Sequence, residues 1–194
     1  MIAQDLHAPF NPPSDSDITI GSLCTGYGGL DLGVLTALGG GQLAWCADPA
    51  PDVAAILTTW LPGVPNLGDL RSLDWDSVEP VDVVTAGFPC QDISTAGRGA
   101  GIEKGSRSGL WTDIMAGIRT LRPPLVVVEN VAALRWKGGD LGRVLGDLAE
   151  AGYDAAWQSI RAADIGAPHR RERVFILAWP HTPSDADATD PAGK

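Results

Sequence analysis

With 194 residues, 44% of them apolar, the chain is long enough for one full hydrophobic core and short for two. Its 24 acidic and 14 basic residues leave a net charge of −10, which counts against a phosphate-gripping basic surface spread over the whole molecule. No run of eighteen apolar residues occurs, which excludes a membrane-spanning helix. The three widely spaced cysteines (Cys24, Cys46, Cys90), with no Cys-x-x-Cys, fit neither a disulfide framework nor a zinc site and point to a reducing cytosol.

Residues 1–17 are rich in Pro, Asp and Ser, with no basic start and no apolar stretch, and read as a disordered leader rather than a signal peptide. From there strand-length apolar runs alternate with helical stretches. Strands are expected over 18–23, 42–47, 81–86, 125–129, 154–162 and 173–179, with a short one over 66–70. Helices are expected over 29–38, 51–60, 109–121 and 139–151. Several strands are continuously apolar, as strands covered by helices on both faces are. The alternation predicts an α/β fold with an open, doubly wound, mostly parallel sheet, the last two strands forming an antiparallel pair at one edge. Residues 91–109, rich in Gly, Ser and Arg and without periodicity, read as an active-site loop. After residue 179 the chain becomes a polar tail.

Chemistry-bearing residues recur at the expected strand exits. Thr25-Gly26-Tyr27-Gly28-Gly29 lies between the first strand and the first helix, where glycines let backbone N–H groups approach a ligand. Asp48, twenty residues beyond Gly28, ends the second strand in a position suited to ribose hydroxyls. A dinucleotide fingerprint would have a third glycine at position 31, and Asp31 stands there instead, which disfavours a nicotinamide oxidoreductase and leaves another adenosine cofactor. Asp69, in Gly68-Asp69-Leu70, is either an acceptor for an adenine amino group or an ordinary helix cap.

Cys90 follows an apolar strand within Gly87-Phe88-Pro89-Cys90-Gln91-Asp92, a setting too polar for core, and has the position of a nucleophile. Cys24 and Cys46 fit buried packing residues. Glu129 ends the apolar run 125–128, where desolvation would raise its pKa and let it donate a hydrogen bond; a salt bridge at the sheet edge is the alternative. In His169-Arg170-Arg171-Glu172-Arg173, alternation puts Arg171 and Arg173 on one side, able to hold a carbonyl oxygen, the acid or a phosphate, unless the segment is a solvated basic turn.

In this order, the segments from about 18 to 179 resemble the DNA (cytosine-5) methyltransferase family. Gly-Phe-Pro-Cys-Gln is similar to its nucleophile motif, the Gly-Tyr-Gly-Gly turn to its first cofactor motif, and Glu129-Asn130-Val131 to its acidic motif. Residues 105–110 resemble the segment that follows the catalytic loop, and residues 169–173 its Gln-x-Arg-x-Arg, with His169 in place of glutamine. The resemblance implies the Rossmann-like fold of S-adenosylmethionine-dependent methyltransferases over 18–179. It implies S-adenosyl-L-methionine held by Thr25, Gly26, Tyr27, Gly28, Gly29, Asp48, Asp69, Phe88 and Pro89. Cys90 would attack C6 of a cytosine flipped from double-stranded DNA. Glu129 would bond N3, and Arg173 the base oxygen with Arg171 nearby, while Gln91, Ser94, Arg98 and Arg107 would meet the substrate. No metal and no membrane are expected.

Family members continue with a target-recognition region and two further motifs, one a Gly-Asn-Ser-Val-like segment; the tail 180–194 resembles at most the start of that region. The chain thus reads as the cofactor-and-nucleophile portion of a methyltransferase, completed by a second polypeptide or belonging to a longer parent. A non-catalytic remnant or subunit that binds cofactor, DNA or a partner is the alternative, as is an RNA cytosine-5 methyltransferase. The expected location is the cytoplasm of a bacterial or phage-infected cell, the composition suggesting a GC-rich source.

Overall fold

A computed structural model describes residues 17–89, 109–136 and 140–182. Six strands, β1 (Thr19–Leu23), β2 (Gln42–Ala47), β3 (Val83–Ala86), β4 (Leu125–Val131), β5 (Tyr153–Arg161) and β6 (Glu172–Pro180), form one sheet in the order β2-β1-β3-β4-β6-β5. The first four run parallel, and β6 enters antiparallel between β4 and β5. The doubly wound, mostly parallel α/β sheet with an antiparallel edge pair is the one expected from the sequence.

Among the described residues four helices cover the sheet: α1 (Gly29–Leu38), α2 (Pro51–Trp60), α3 (Leu110–Leu121) and α4 (Leu141–Glu150). Their ends follow from local chemistry. Gly39 closes α1 in the left-handed conformation, φ 75°, its N–H turned back on the Leu35 and Thr36 carbonyls. Pro51 opens α2, where its missing N–H costs nothing and its φ is already helical. Arg122 ends α3 left-handed, ahead of two prolines, and its guanidinium bonds the Ala151 carbonyl and lies 5.3 Å from the centre of the Tyr153 ring.

On one face, α3 and α4 bury Trp111, Ile114, Ile118, Val144 and Leu148 against Leu23, Val84, Val126, Val128 and Ile176. On the other, α1 packs Val34 and Leu35 on Ile20, Val83 and Val127, while α2 packs Val53 and Leu57 on Cys46. Continuous burial of Val83–Ala86 explains why β3 reads as an unbroken apolar run. Gly21 is required in β1 because a Cβ there would stand 2.1 Å from Cζ2 of the buried Trp45 ring.

The expected strand over 66–70 does not form. Asn66 makes one isolated bridge to Cys46, and a single 3-10 turn follows at Leu70–Ser72. The Asn66 side chain is the reason: its Oδ1 accepts from the Asp48 and Gly68 N–H groups, and its Nδ2 donates to the Asp48 carbonyl, turning the chain into a brace for the β2 exit.

Candidate active site

Strand order reverses between β1 and β3, and in such sheets the crevice beyond the carboxyl ends of the strands at that point receives ligands. A cleft of about 540 Å³ opens there. Thr25, Gly26, Tyr27 and Gly29 line one side, Ser22, Thr85 and Gly87 the floor, and Glu129, Arg171, Arg173 and Phe175 the opposite wall. Ile160, Ala162 and Ile165, from the β5–β6 hairpin, complete it.

The turn between β1 and α1 is built by the residues at its base. Buried Thr25 donates through Oγ1 to the Ser22 carbonyl at 3.2 Å, and its own carbonyl accepts from the Gly28 N–H at 3.0 Å. Gly28 caps α1 with φ 74°, a conformation that favours glycine. Asp48 does not line the cleft. Its Oδ2 accepts the Gly26 N–H at 2.9 Å and its Oδ1 the Ala50 N–H at 3.0 Å, so one carboxylate ties the glycine turn to the start of α2.

Asp69 lies apart from the cleft lining, bonded to the Arg71 guanidinium at 2.6 Å and capping its own 3-10 turn through the Arg71 N–H. The Arg71 side chain holds its carboxyl below the usual carboxylate range. Of the two readings left open for this residue, the cap is the one observed. Phe88 turns into the core, 3% exposed, its ring centre 5.4 Å from that of Trp111, and Pro89 is exposed. Neither ring lines the cleft.

Glu129 on β4 and Arg173 on β6 are diagonal neighbours in the register, Glu129 standing opposite Phe175 and Arg173 opposite Val131, and form an ion pair, Arg173 Nε to Glu129 Oε1 at 2.7 Å. Of the two readings of Glu129, the salt bridge is the one observed. Arg171 shares the cleft wall and is exposed; Glu172, on the other side of the strand, accepts from Arg135 at 2.5 Å and from Ser159 at 2.6 Å. The alternation read from the sequence is present, and Arg135 is occupied by Glu172.

Cys24, at the β1 exit, is half-buried, with its thiol pushed up to about 12 by burial and then by the carboxylates of Asp48 and Asp69. Cys46 is pushed up to about 11, again mainly by burial. Burial thus favours the thiol over the thiolate in both, the opposite of what a nucleophile needs. Cys90, Gln91, Ser94, Arg98 and Arg107 lie outside the described residues. No group of three or more His, Cys, Asp or Glu side chains among the described residues could hold a metal ion.

Two residues of the site had no individual assignment from sequence. Asn130, 2% exposed, donates through Nδ2 to the Phe88 carbonyl at 3.0 Å, so the residue after Glu129 fixes the backbone two positions before Cys90. Asp31 lies in the cleft floor beneath the glycine turn, where it was read only as a departure from a dinucleotide fingerprint.

Comparison with known proteins agrees with this geometry. The chain is 36% identical over 163 residues to the Type II methyltransferase M2.BsuMI of Bacillus subtilis (strain 168), an alignment that takes in 81% of this chain and 41% of that protein. The chain thus spans less than half the length of this curated relative. The fold matches a DNA modification methyltransferase encoded within an E. coli prophage, TM-score 0.66 at 21% identity, over 87% of this chain and 49% of the other. It also matches the S. pombe Dnmt2 methyltransferase, TM-score 0.68 at 17% identity, over 91% and 57%. The family model for C-5 cytosine-specific DNA methylase extends from residue 18 to 186, across both walls of the cleft, and it is to that family that the chain belongs.

Proposed function

We propose that the chain carries the cofactor-and-nucleophile half of a DNA cytosine-5 methyltransferase acting on double-stranded DNA, with target recognition supplied by a second polypeptide or by the rest of a longer protein. The observation that carries this reading is the Glu129–Arg173 pair facing a glycine turn across one cleft at the switch point of the sheet. No helix among the described residues is long and apolar enough to cross a membrane, and the proposed site of action is the cytoplasm.

S-adenosyl-L-methionine is the cofactor the family implies, and the residues present suit it. A Cβ at Gly87 would stand 3.7 Å from the Cys24 carbonyl oxygen and 4.0 Å from Glu129 Oε2, so glycine there keeps the passage between turn and acid open. Thr25, Gly26, Tyr27, Gly28 and Gly29 would hold the cofactor, and Asp48, outside the cleft lining and bonded to the Gly26 and Ala50 N–H groups, would reach its ribose only through the remaining lone pairs of its carboxylate. Asp69, Phe88 and Pro89 would contribute from the rim, Phe88 and Pro89 through their backbone. When bound, it supplies an electrophilic methyl group.

The remaining chemistry belongs to side chains. Cytosine carbons are unreachable in the stack, so the base is flipped into the cleft. The Cys90 thiolate adds to C6 while the Glu129 carboxyl, in its protonated form, gives its proton to N3 and Arg173 holds the base oxygen, so the ring carries no net negative charge and C5 becomes a nucleophile. Arg171 adds positive charge at the rim, and Gln91, Ser94, Arg98 and Arg107 contact the substrate. Once C5 is substituted, loss of its proton to a base restores the C5–C6 double bond and expels the Cys90 thiolate.

The test is a covalent trap. Fluorine at C5 blocks the final elimination, so the protein incubated with S-adenosylmethionine and duplex DNA carrying 5-fluorocytosine should form a methylated adduct visible by intact mass if these residues suffice, and should bind S-adenosylhomocysteine without an adduct if the recognition part has to be added. Cys90→Ser should abolish the adduct while leaving S-adenosylhomocysteine affinity within about twofold. Methylation of unmodified DNA that survives in Cys90→Ser would overturn the assignment of the nucleophile. Absence of both adduct and cofactor binding would overturn the catalytic reading.

A further inference from the structure

Asp31 takes no part in the chemistry proposed above, yet it is the most deliberately held carboxylate of the cleft. It is 2% exposed, in the first turn of α1. Its Oδ2 accepts from Ser22 Oγ at 2.9 Å and its Oδ1 from Thr85 Oγ1. Ser22 and Thr85 are direct neighbours across β1 and β3, so two adjacent strand ends each present a hydroxyl to the same acid. All three residues line the cleft, and Asp31 Oδ2 lies 3.9 Å from where a Cβ of Gly28 would stand. Burial raises the pKa of this carboxyl, and the Thr85 and Ser22 hydroxyls, with its own backbone N–H, work against that rise.

Unfilled N–H groups and the macrodipole make a helix N-terminus behind a glycine turn a ready site for phosphate. A carboxylate buried under that turn reverses the preference. Among the described residues the other charges around the cleft do not restore it: Arg173 is paired with Glu129, Arg171 stands exposed on the opposite wall, and Asp48 brings a second carboxylate to the Gly26 N–H. With Asp31 ionised, a ligand entering at the turn meets a negative potential through a medium of low dielectric, where a single charge counts for far more than in water.

We infer that Asp31 is a specificity-determining residue that biases the cofactor site toward a positively charged ligand, the sulfonium of S-adenosylmethionine, and against neutral and phosphate-bearing adenosine compounds. This rests on the cofactor reading above. Asp31 acts through its field, since its side chain is covered by the turn. The same residue that breaks the dinucleotide fingerprint therefore supplies the reason such a cofactor is refused.

The experiment is calorimetric titration of the full chain with three probes differing in charge at one end: S-adenosylmethionine, S-adenosylhomocysteine and ATP, at mildly alkaline pH. Asp31→Asn keeps the shape and removes the charge. The ratio of S-adenosylmethionine to S-adenosylhomocysteine affinity should fall about tenfold in the variant, and discrimination against ATP should narrow, as one charge–charge interaction at intermediate dielectric predicts. If Asp31→Asn does not fold, Thr85→Val removes one donor, favours the protonated acid and should shift the ratio in the same direction by less. Equal changes for all three probes, or an unchanged ratio in the folded variant, would overturn this inference alone. Failure of the unaltered chain to bind any probe would overturn the cofactor reading and this inference with it.

Discussion

Asn130 stands one position beyond Glu129 and serves the opposite end of the site, bonding the Phe88 carbonyl that leads into Cys90. Asn130→Ala leaves a buried carbonyl without its donor, at about 1–3 kcal/mol, and releases the backbone that aims the nucleophile. Single-turnover methyl transfer should fall by about 10–100-fold, with S-adenosylhomocysteine affinity nearly constant; an equal loss in both would mean the residue only holds the fold. Asp31 gives a second expectation, in stability. Because burial raises its pKa in the folded protein, the native state holds the extra proton above the ordinary carboxylate value. Stability from this group is therefore present at low pH and lost as pH rises through the folded pKa. The melting-temperature difference between the unaltered chain and Asp31→Asn should move in favour of the variant over that window, and a difference flat with pH would contradict it.

Secondary-structure elements were legible where local chemistry decides them. The bounds of α1 and α2 agree with the sequence reading because Gly28, Gly39 and Pro51 mark them without help from neighbours. The continuous apolar runs of β3 and β4 announced burial on both faces before any packing was known. Residues 66–70 were misread because the short apolar residues there look like a strand, while the Asn66 side chain claims the hydrogen-bonding groups a partner strand would use. Gly21 carries a requirement that no pattern announces. Gly21→Ala should cost about 3 kcal/mol in chemical denaturation, since the new methyl group meets the Trp45 ring, itself fixed by donation to the Glu79 carbonyl at 2.9 Å. Wild-type stability in this variant would show that the ring can move aside.

At the scale of the whole molecule, the charge of −10 and the proposed substrate have to be reconciled. Among the described residues, five arginines are already committed to carboxylates: Arg71 to Asp69, Arg135 to Glu172, Arg143 to Asp147, Arg161 to Asp164 and Arg173 to Glu129. Few of these are available to displace counterions from DNA. The dependence of duplex affinity on salt should accordingly be carried by the other nine of the 14 basic residues at most, and neutralising Arg71 or Arg161 should leave it unchanged. A steep dependence would place an extensive basic footprint within this chain. The chain covers 41% of the length of its Bacillus subtilis relative, which leaves room for such a footprint elsewhere.

The order of motifs, the fold class and the pairing of a glycine turn with strand-exit residues were determined by the sequence alone, because turns, caps and apolar periodicity act over a few residues. Tertiary structure decided which of those residues share a cleft. It brought Glu129 to Arg173, across forty-four positions of chain, and Asn130 to Phe88. It also turned Phe88 into the core, gave Asp69 to Arg71, and set Asp31 under the turn between two hydroxyls. The cause is strand order: β1 and β3 are distant in sequence and adjacent in space, so the contacts that define the site depend on side-chain packing across the sheet, which no local pattern encodes.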